Sequence, residues 1–408
     1  MATLLLDWLH LLIRIAHVVA AILWIGDSFL FMWMDRSLVP PSRPRPGDVA
    51  GELWMVHSGG FYEVVKRRTL VPAEMPAALH WFKWEAYSTG ISGFFLLGIV
   101  YFAGAGMFLV DPAVAPLSAP AAIAIGVALL IAGVAVYEAL WRSPLQRGAA
   151  GTSAPAASIV GSLLIVATIV GLTRLFAARA AFLMAGAMLG TIMVANVANH
   201  IIPAQRMMLA ATREGRPVDV TLGLRAKMHS THNHYLTFPV LVAMVSNHFP
   251  LLYAGRFAWL VLTLLFVFAV AVKYAMNARA RSNRWAVAAG IAALIGAVTL
   301  TTGGTPDAAA IAALRGAPPV PFAEARAVIE RRCQTCHATR PSNPSFPAPP
   351  NGVVLEDPAR IRALAPRILE RAVITKTMPL GNITGITDAE RRTLGAWIVQ
   401  GARLDGTR

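Results

Sequence analysis

Apolar residues run along this chain in long unbroken stretches, not in the short periodic stripes of a soluble domain. Eight stretches reach or approach the roughly 20 residues a helix needs to cross a bilayer. They lie near 8–33, 84–110, 120–141, 157–174, 180–200, 233–250, 257–276 and 285–302. Ala157–Leu172 and Trp285–Thr302 contain no charge, whereas Lys83 and Glu85 stand at the edge of the second stretch. After Thr302 the pattern changes. Residues 303–320 are rich in Gly, Ala and Pro and read as a linker. Beyond them, 321–408 mixes charge with short apolar runs that predict helices over 322–337, 357–373 and 387–401. The last opens on Thr387 and Glu390, the spacing of a capping box, and offers Leu394, Trp397 and Ile398 to a core. The expectation is an all-α chain: an eight-helix transmembrane bundle over 1–302, a linker over 303–320 and a small domain over 321–408.

Charge gives that pattern an orientation. Only 14% of the 408 residues are charged, against about 25% in a soluble chain. The net charge of +15 is spread over short loops and not gathered into a patch that would grip nucleic acid. The odd loops hold six, two, five and three Lys and Arg, and the even loops none, two and one. Basic loops stay in the cytoplasm, so both termini are expected outside it. The N-terminal MATLLLDWLH has no basic n-region and no small-residue cleavage site, and reads as an uncleaved first helix.

The two cysteines, Cys333 and Cys336, stand with His337 in CQTCH. This is the C-x-x-C-H spacing of covalent c-type haem, in which two thiols hold the macrocycle and the histidine binds iron. A zinc site would need four ligands, yet His337 is the last histidine in the chain and there are no further cysteines. A redox dithiol would want a thioredoxin-like βαβ context, which is missing. The tail has one methionine, Met378, 41 residues beyond His337, as the candidate sixth ligand; Lys376 is the alternative. A His/Met pair gives a haem of fairly high potential. The tail resembles a class I cytochrome c.

Ionisable groups inside spans are costly and tend to mark function. His10, Arg14 and His17 share one face of the first stretch, with His248 near the same outer side. A larger group gathers toward the cytoplasm: His80, Lys83, Glu85, Glu138, Asn196, Asn199, His200, His229, His232, Asn233, His234, Tyr235, Lys273 and Tyr274. Singly, such residues at helix ends serve as interfacial anchors; their concentration suits a cavity. Two chemistries fit it. One is haem b between histidine pairs, His17 with His248 and an inner pair drawn from His80, His200 and His232. The other is a pocket in which a cation holds an anionic substrate and a histidine or carboxylate moves protons.

Three stretches favour the second. ELWMVHSGGFYEV (52–64), HWFKWEAYSTGISGF (80–94) and THNHYLTFPVLVAMVSNHFP (231–250) resemble the membrane domain of bacterial cytochrome-c-fused urate oxidases, the urate hydroxylases of the PuuD type. The resemblance departs from the family pattern at Ser58, Gly90 and His234. It implies oxidation of urate to 5-hydroxyisourate, with electrons passed to the chain's own cytochrome c and on to a respiratory acceptor. Urate is a planar anion with several donors and acceptors, so a cation, amides and aromatic faces are its expected partners. For that chemistry Lys83 is the expected anion holder, Glu85 or His232 the proton acceptor, and Asn199, His200, Asn233 and Tyr235 the pocket donors. Cys333, Cys336, His337 and Met378 hold the haem. A cytoplasmic pocket and an outer haem would be separated by roughly 30 Å of hydrocarbon. That calls either for a site nearer His10, Arg14, His17 and His248 or for an intermediate carrier such as haem b. The competing reading is an electron-transfer subunit passing quinol electrons through b-type haems to its cytochrome c. The net basic tail suits an acidic redox partner.

Overall fold

The computed structural model describes residues 2–147, 151–278, 283–302 and 308–404. Arg279 and Arg281 of the seventh loop, linker residues 303–307 and the terminal 405–408 lie outside the described residues.

The chain opens on α1 (Ala2–Ser37), then leaves the bundle for an antiparallel pair of strands, β1 (Val49–His57) and β2 (Gly60–Arg67). The all-α expectation is corrected here by a hairpin. Ser58 and Gly59 both have positive φ, 50° and 77°, the geometry of the tight two-residue turn whose twist matches paired strands. Glu52, 2% exposed, fastens the hairpin to the loop before it. It accepts from the Ser42 amide at 2.8 Å and the Arg45 guanidinium at 2.7 Å, and these contacts hold it below the ordinary carboxylate range. Asp35, at the end of α1, pairs with Lys66 of β2 and, at 3.0 Å, with Lys227. The hairpin therefore closes one end of the bundle, called here the hairpin end.

The bundle continues through α2 (Trp84–Leu96), a π-helical turn at Leu97–Phe102, α3 (Ala105–Phe108), α4 (Ala119–Arg142), α5 (Pro155–Leu175) and α6 (Ala178–Asn196). A second π-helical turn, Val197–Ile201, leads into α7 (Ile202–Arg213). Pro203 has no N–H for the carbonyl one turn back, and the wider turn before it absorbs that mismatch. Next come α8 (Val220–Val245), α9 (Ala258–Ala278) and α10 (Arg284–Thr302).

Among the described residues, six helices are long and apolar enough to cross a membrane: Trp8–Ser37, Ala119–Arg142, Pro155–Leu175, Ala178–Arg213, Ala258–Asn277 and Arg284–Thr301. The other two expected spans fold as helices of a different kind. The stretch 84–110 is divided among α2, the π-helical turn and α3, while 233–250 is the end of a longer α8. That helix starts at an Asp219 cap and carries buried His229, Asn233 and His234. α6 lies at the centre of the bundle, with Phe182, Met184 and Leu189 buried against residues of α2, α4, α5, α8 and α9. Large apolar side chains such as Ile131, Leu163 and Ile291 point outward, as a lipid-facing surface requires.

The tail is a separate small helical unit: α11 (Ala308–Gly316), α12 (Phe322–Arg332), α13 (Gln334–His337), α14 (Pro358–Ala363), α15 (Ala365–Ile368), a π-helical turn at Leu369–Ile374, and α16 (Asp388–Val399). Its core gathers Phe322, Val328, Ile329, Leu355, Ile361, Leu394 and Trp397. The capping box expected at Thr387 and Glu390 is formed. The tail touches the bundle at the end away from the hairpin. Gly381, with φ of +54°, lies so close to α3 that a Cβ would sit 2.9 Å from the Met107 carbonyl oxygen and 2.8 Å from that of Val110.

Candidate functional site

The buried polar groups expected in one cavity fall into separate clusters. The densest joins α4, α8 and the π-helical turn after α6. Tyr137 places its hydroxyl 2.8 Å from His229 Nδ1 and 2.6 Å from His232 Nδ1. One hydroxyl can donate to only one of them, so the other imidazole donates its Nδ1–H and the two rings hold opposite tautomers. His232 reaches on to the Ser153 hydroxyl at 2.6 Å. His229 stacks on His200 with centroids 3.8 Å apart and planes 8° from parallel. His200 Nε2 lies 2.6 Å from Glu138 Oε1, and Arg142 stands 2.9 Å from the other oxygen. Beside this group Asn196 donates to Asn233 at 2.9 Å, and Asn233 donates to the Met193 carbonyl at 2.9 Å. The result is two hydrogen-bonded series, Arg142–Glu138–His200 and His229–Tyr137–His232–Ser153, that meet in the His200–His229 ring stack, with Arg142 and Ser153 exposed at the hairpin end.

A second cluster lies on the other side of α8, against α1 and α9. His234 sits between Ser28, 3.0 Å from Nδ1, and the amide oxygen of Asn277, 3.0 Å from Nε2. The Asn277 Nδ2 has no hydrogen-bond partner. One turn earlier on α9, Lys273 is fully buried, and its ammonium makes no hydrogen bond. It lies 2.7 Å from the Phe29 ring centroid and 5.0 Å from that of Phe238. Ser28 and Asn233 both line a narrow crevice, with Trp24, Ile25, Met193 and Thr237.

Of the residues expected from sequence, His200, His232 and Asn233 are brought together. Asn199 is exposed on its π-helical turn, and Tyr235 touches only the edge of the His234 ring, 6.0 Å away. Lys83 is half-buried between Trp81 and Trp84, 5.7 and 5.4 Å from their centroids. Glu85, near it, has a buried Oε2 without a hydrogen bond. Tyr137, Ser28 and Asn277 were missed in the sequence, and Glu138, His229, Asn196 and Lys273 were noted without a role. An amide or hydroxyl inside an apolar run was the available signal.

His200 is stacked on His229; His17 Nδ1 is 3.1 Å from both the Thr89 carbonyl and the Ser92 hydroxyl, and His248 is exposed. At the end that meets the tail, Tyr101 donates to Asn247 at 2.8 Å, and the Arg179 guanidinium lies 4.8 Å over Phe108.

In the tail, α12 ends at Cys333 and α13 carries Cys336 and His337. His337 Nδ1 donates to the Val353 carbonyl at 3.0 Å. That bond fixes the tautomer, with the proton on Nδ1 and the lone pair on Nε2. Burial pushes the Cys333 thiol up to about 12, the opposite of what a redox dithiol needs. The loop bearing Met378 is pinned by its backbone: the amide donates to Arg371 O at 3.0 Å and the carbonyl accepts from buried Arg391 at 2.8 Å. Lys376 is paired instead with Asp388 at 2.8 Å, and this contact holds Asp388 below the ordinary carboxylate range. Met378 is thus the better placed candidate of the two.

Neither a curated protein nor a solved structure matches the chain. The family model described as urate oxidase, N-terminal, matches residues 3–302, the whole span from α1 to α10. By that match the chain belongs to the urate oxidase N-terminal family.

Proposed function

We propose that this chain is a membrane-bound urate oxidase that converts urate to 5-hydroxyisourate and passes the electrons to a haem c in its own tail. The observation that carries the reading is the join of a urate oxidase family unit over 3–302 to a CQTCH tail whose His337 has its proton on Nδ1 and its lone pair on Nε2. In this reading the two unassigned helical stretches, α2 with its π-helical turn and the second half of α8, complete an eight-helix bundle. The tail is a periplasmic class I cytochrome c.

The reaction removes two electrons and two protons from urate and water while C5 gains the water's oxygen. Cys333, Cys336, His337 and Met378 would hold a covalent haem, which would supply a one-electron acceptor used twice per turnover. The chain's own residues handle the rest. His232 accepts a proton and passes it to the hairpin end through the exposed Ser153 hydroxyl, while Tyr137 ties His232 to His229 and the stacked His200, bonded to Glu138, lies beside them. His200 and Asn233 keep the substrate-side roles expected of them. Lys83 and Glu85, at the start of α2, stand at the mouth of the bundle. Asn199 and Tyr235 are the weakest assignments, since neither faces the cluster.

Protons and electrons then part company. Protons leave at the hairpin end, and electrons at the contact between Gly381 and α3, on their way to a respiratory acceptor. The test is stoichiometric. With excess ferricyanide and no oxygen, purified protein should deliver two electrons per urate consumed; turnover that requires oxygen and yields one peroxide per urate would contradict the reading.

A further inference from the structure

We infer that Lys273 and Asn277 form the anion-binding subsite for urate, in the α1–α8–α9 cluster and not at Lys83. This rests on the proposed urate chemistry but is carried by its own observation. Lys273 is 0% exposed and its ammonium has no hydrogen-bond partner. An ammonium has three donors, and taking one out of water without a counter-charge is costly, by several kcal/mol per ion even after relaxation. Inside a bilayer no water offsets that cost, and such residues mark ligand or ion sites. Asn277, one turn along the same face of α9, holds a second buried donor, Nδ2, with no partner. Two orphaned donors four residues apart on one helix face describe a receptor for an anion carrying adjacent oxygen or nitrogen acceptors.

Aromatic rings stand beside the two donors. Phe29 and Phe238 offer ring faces to a planar heterocycle, and their closeness to Lys273, 2.7 and 5.0 Å, is the contact an arriving anion would replace. His234 is held by Ser28 and Asn277 in the tautomer with its proton on Nε2, so its orientation is set in advance. Ser28 also lines the crevice that reaches Asn233, and Asn233 belongs to the cluster that carries the proton-moving groups. The substrate class is a planar purine anion. Lys83 is a weaker holder because it is half-exposed, so water can solvate its ammonium.

The experiment is anaerobic binding of radiolabelled urate to the full-length holoprotein, read beside reduction of its haem by urate and by ascorbate. Losing one charge-assisted hydrogen bond corresponds to roughly 10- to 100-fold in affinity. Lys273→Met should weaken urate binding by that factor while ascorbate still reduces the haem and its spectrum is unchanged. Lys273→Arg should recover most of the loss. A Lys273→Met protein that binds urate as tightly as the wild type overturns the subsite. Should that variant fail to accumulate, Asn277→Ala carries the same test with a smaller expected loss, about 3- to 10-fold, and unchanged binding again overturns it. A wild type that binds urate without reducing its haem would instead count against the redox reading and leave the subsite in place.

Discussion

In the unit from α1 to α10 the outward side chains are apolar, with Leu12, Ile131 and Leu163 each more than half exposed, while Asn196, His229, Asn233 and Lys273 are buried. In the tail the order is reversed: Ile329, Ile361, Leu394 and Trp397 are buried, and Arg326, Glu330 and Lys376 face outward. The same 20 amino acids are being sorted by two solvents. In the tail an unpaired charge rests in water and reports nothing. In the bundle a polar group must be satisfied inside the protein or by a ligand, so the two series that meet at His200 and His229, and the orphans at Lys273 and Asn277, carry information that no surface residue of the tail can carry.

Substitutions on either side of this comparison should act in different currencies. The largest effect is expected of His337→Ala, which removes the Nε2 lone pair: the c-type α-band should vanish while anaerobic urate binding by the bundle persists. Tyr137→Phe takes away the hydroxyl shared by His229 and His232, leaving a buried imidazole donor unmet. Urate-driven haem reduction should slow by about 100-fold with the haem spectrum intact, and a wild-type rate would remove this cluster from the mechanism. Gly381→Val tests the contact between units. A side chain there meets the carbonyls of Met107 and Val110, so reduction by urate should slow by about tenfold or more, whereas reduction by ascorbate should not.

Smaller effects belong to the tail's surface. Thr387→Ala removes the cap of α16 and should cost about 1 kcal/mol, seen as a lower melting temperature of the tail alone. The same helix end has a definite pH response. Burial pulls Glu390 upward, but the Thr387 amide and Arg332 draw it further down, so it lies below the ordinary carboxylate range when folded. The unfolded chain then binds the proton more readily. The stabilisation is present above the ordinary carboxylate range and is lost as pH falls through the lowered value. Acid melts of Glu390→Gln should show a shallower fall than the wild type. Asn199→Ala, exposed and outside both clusters, should leave urate turnover within error.

Six spans and α16 were legible because length, apolar composition and a Thr-x-x-Glu box are local signals, whereas α11 forms inside the expected linker and the expected helices over 322–337 and 357–373 are each divided. The hairpin was equally local, since Val49–Arg67 has a two-residue turn at Ser58–Gly59, but its basic residues drew attention to loop charge instead of strand pairing. The site was legible only in part. Neighbouring residues of α8 face different clusters: His232 and Asn233 turn toward α4 and α6, while His234 turns toward α1 and α9. Residues adjacent in sequence were therefore assigned to one pocket that the helix divides. The role of Lys273 is not legible in the sequence, because full burial of an ammonium that makes no hydrogen bond is a property of packing, not of spacing.

The central claim joins the two units through one reaction, and the most direct test is optical. Urate is added without oxygen to the solubilised, oxidised full-length protein, and the reduced c-type α-band is followed. The account requires that urate raise the band and that xanthine and quinol leave it flat. If quinol raises the band and urate does not, the chain is an electron-transfer subunit and the urate chemistry proposed for its bundle is wrong.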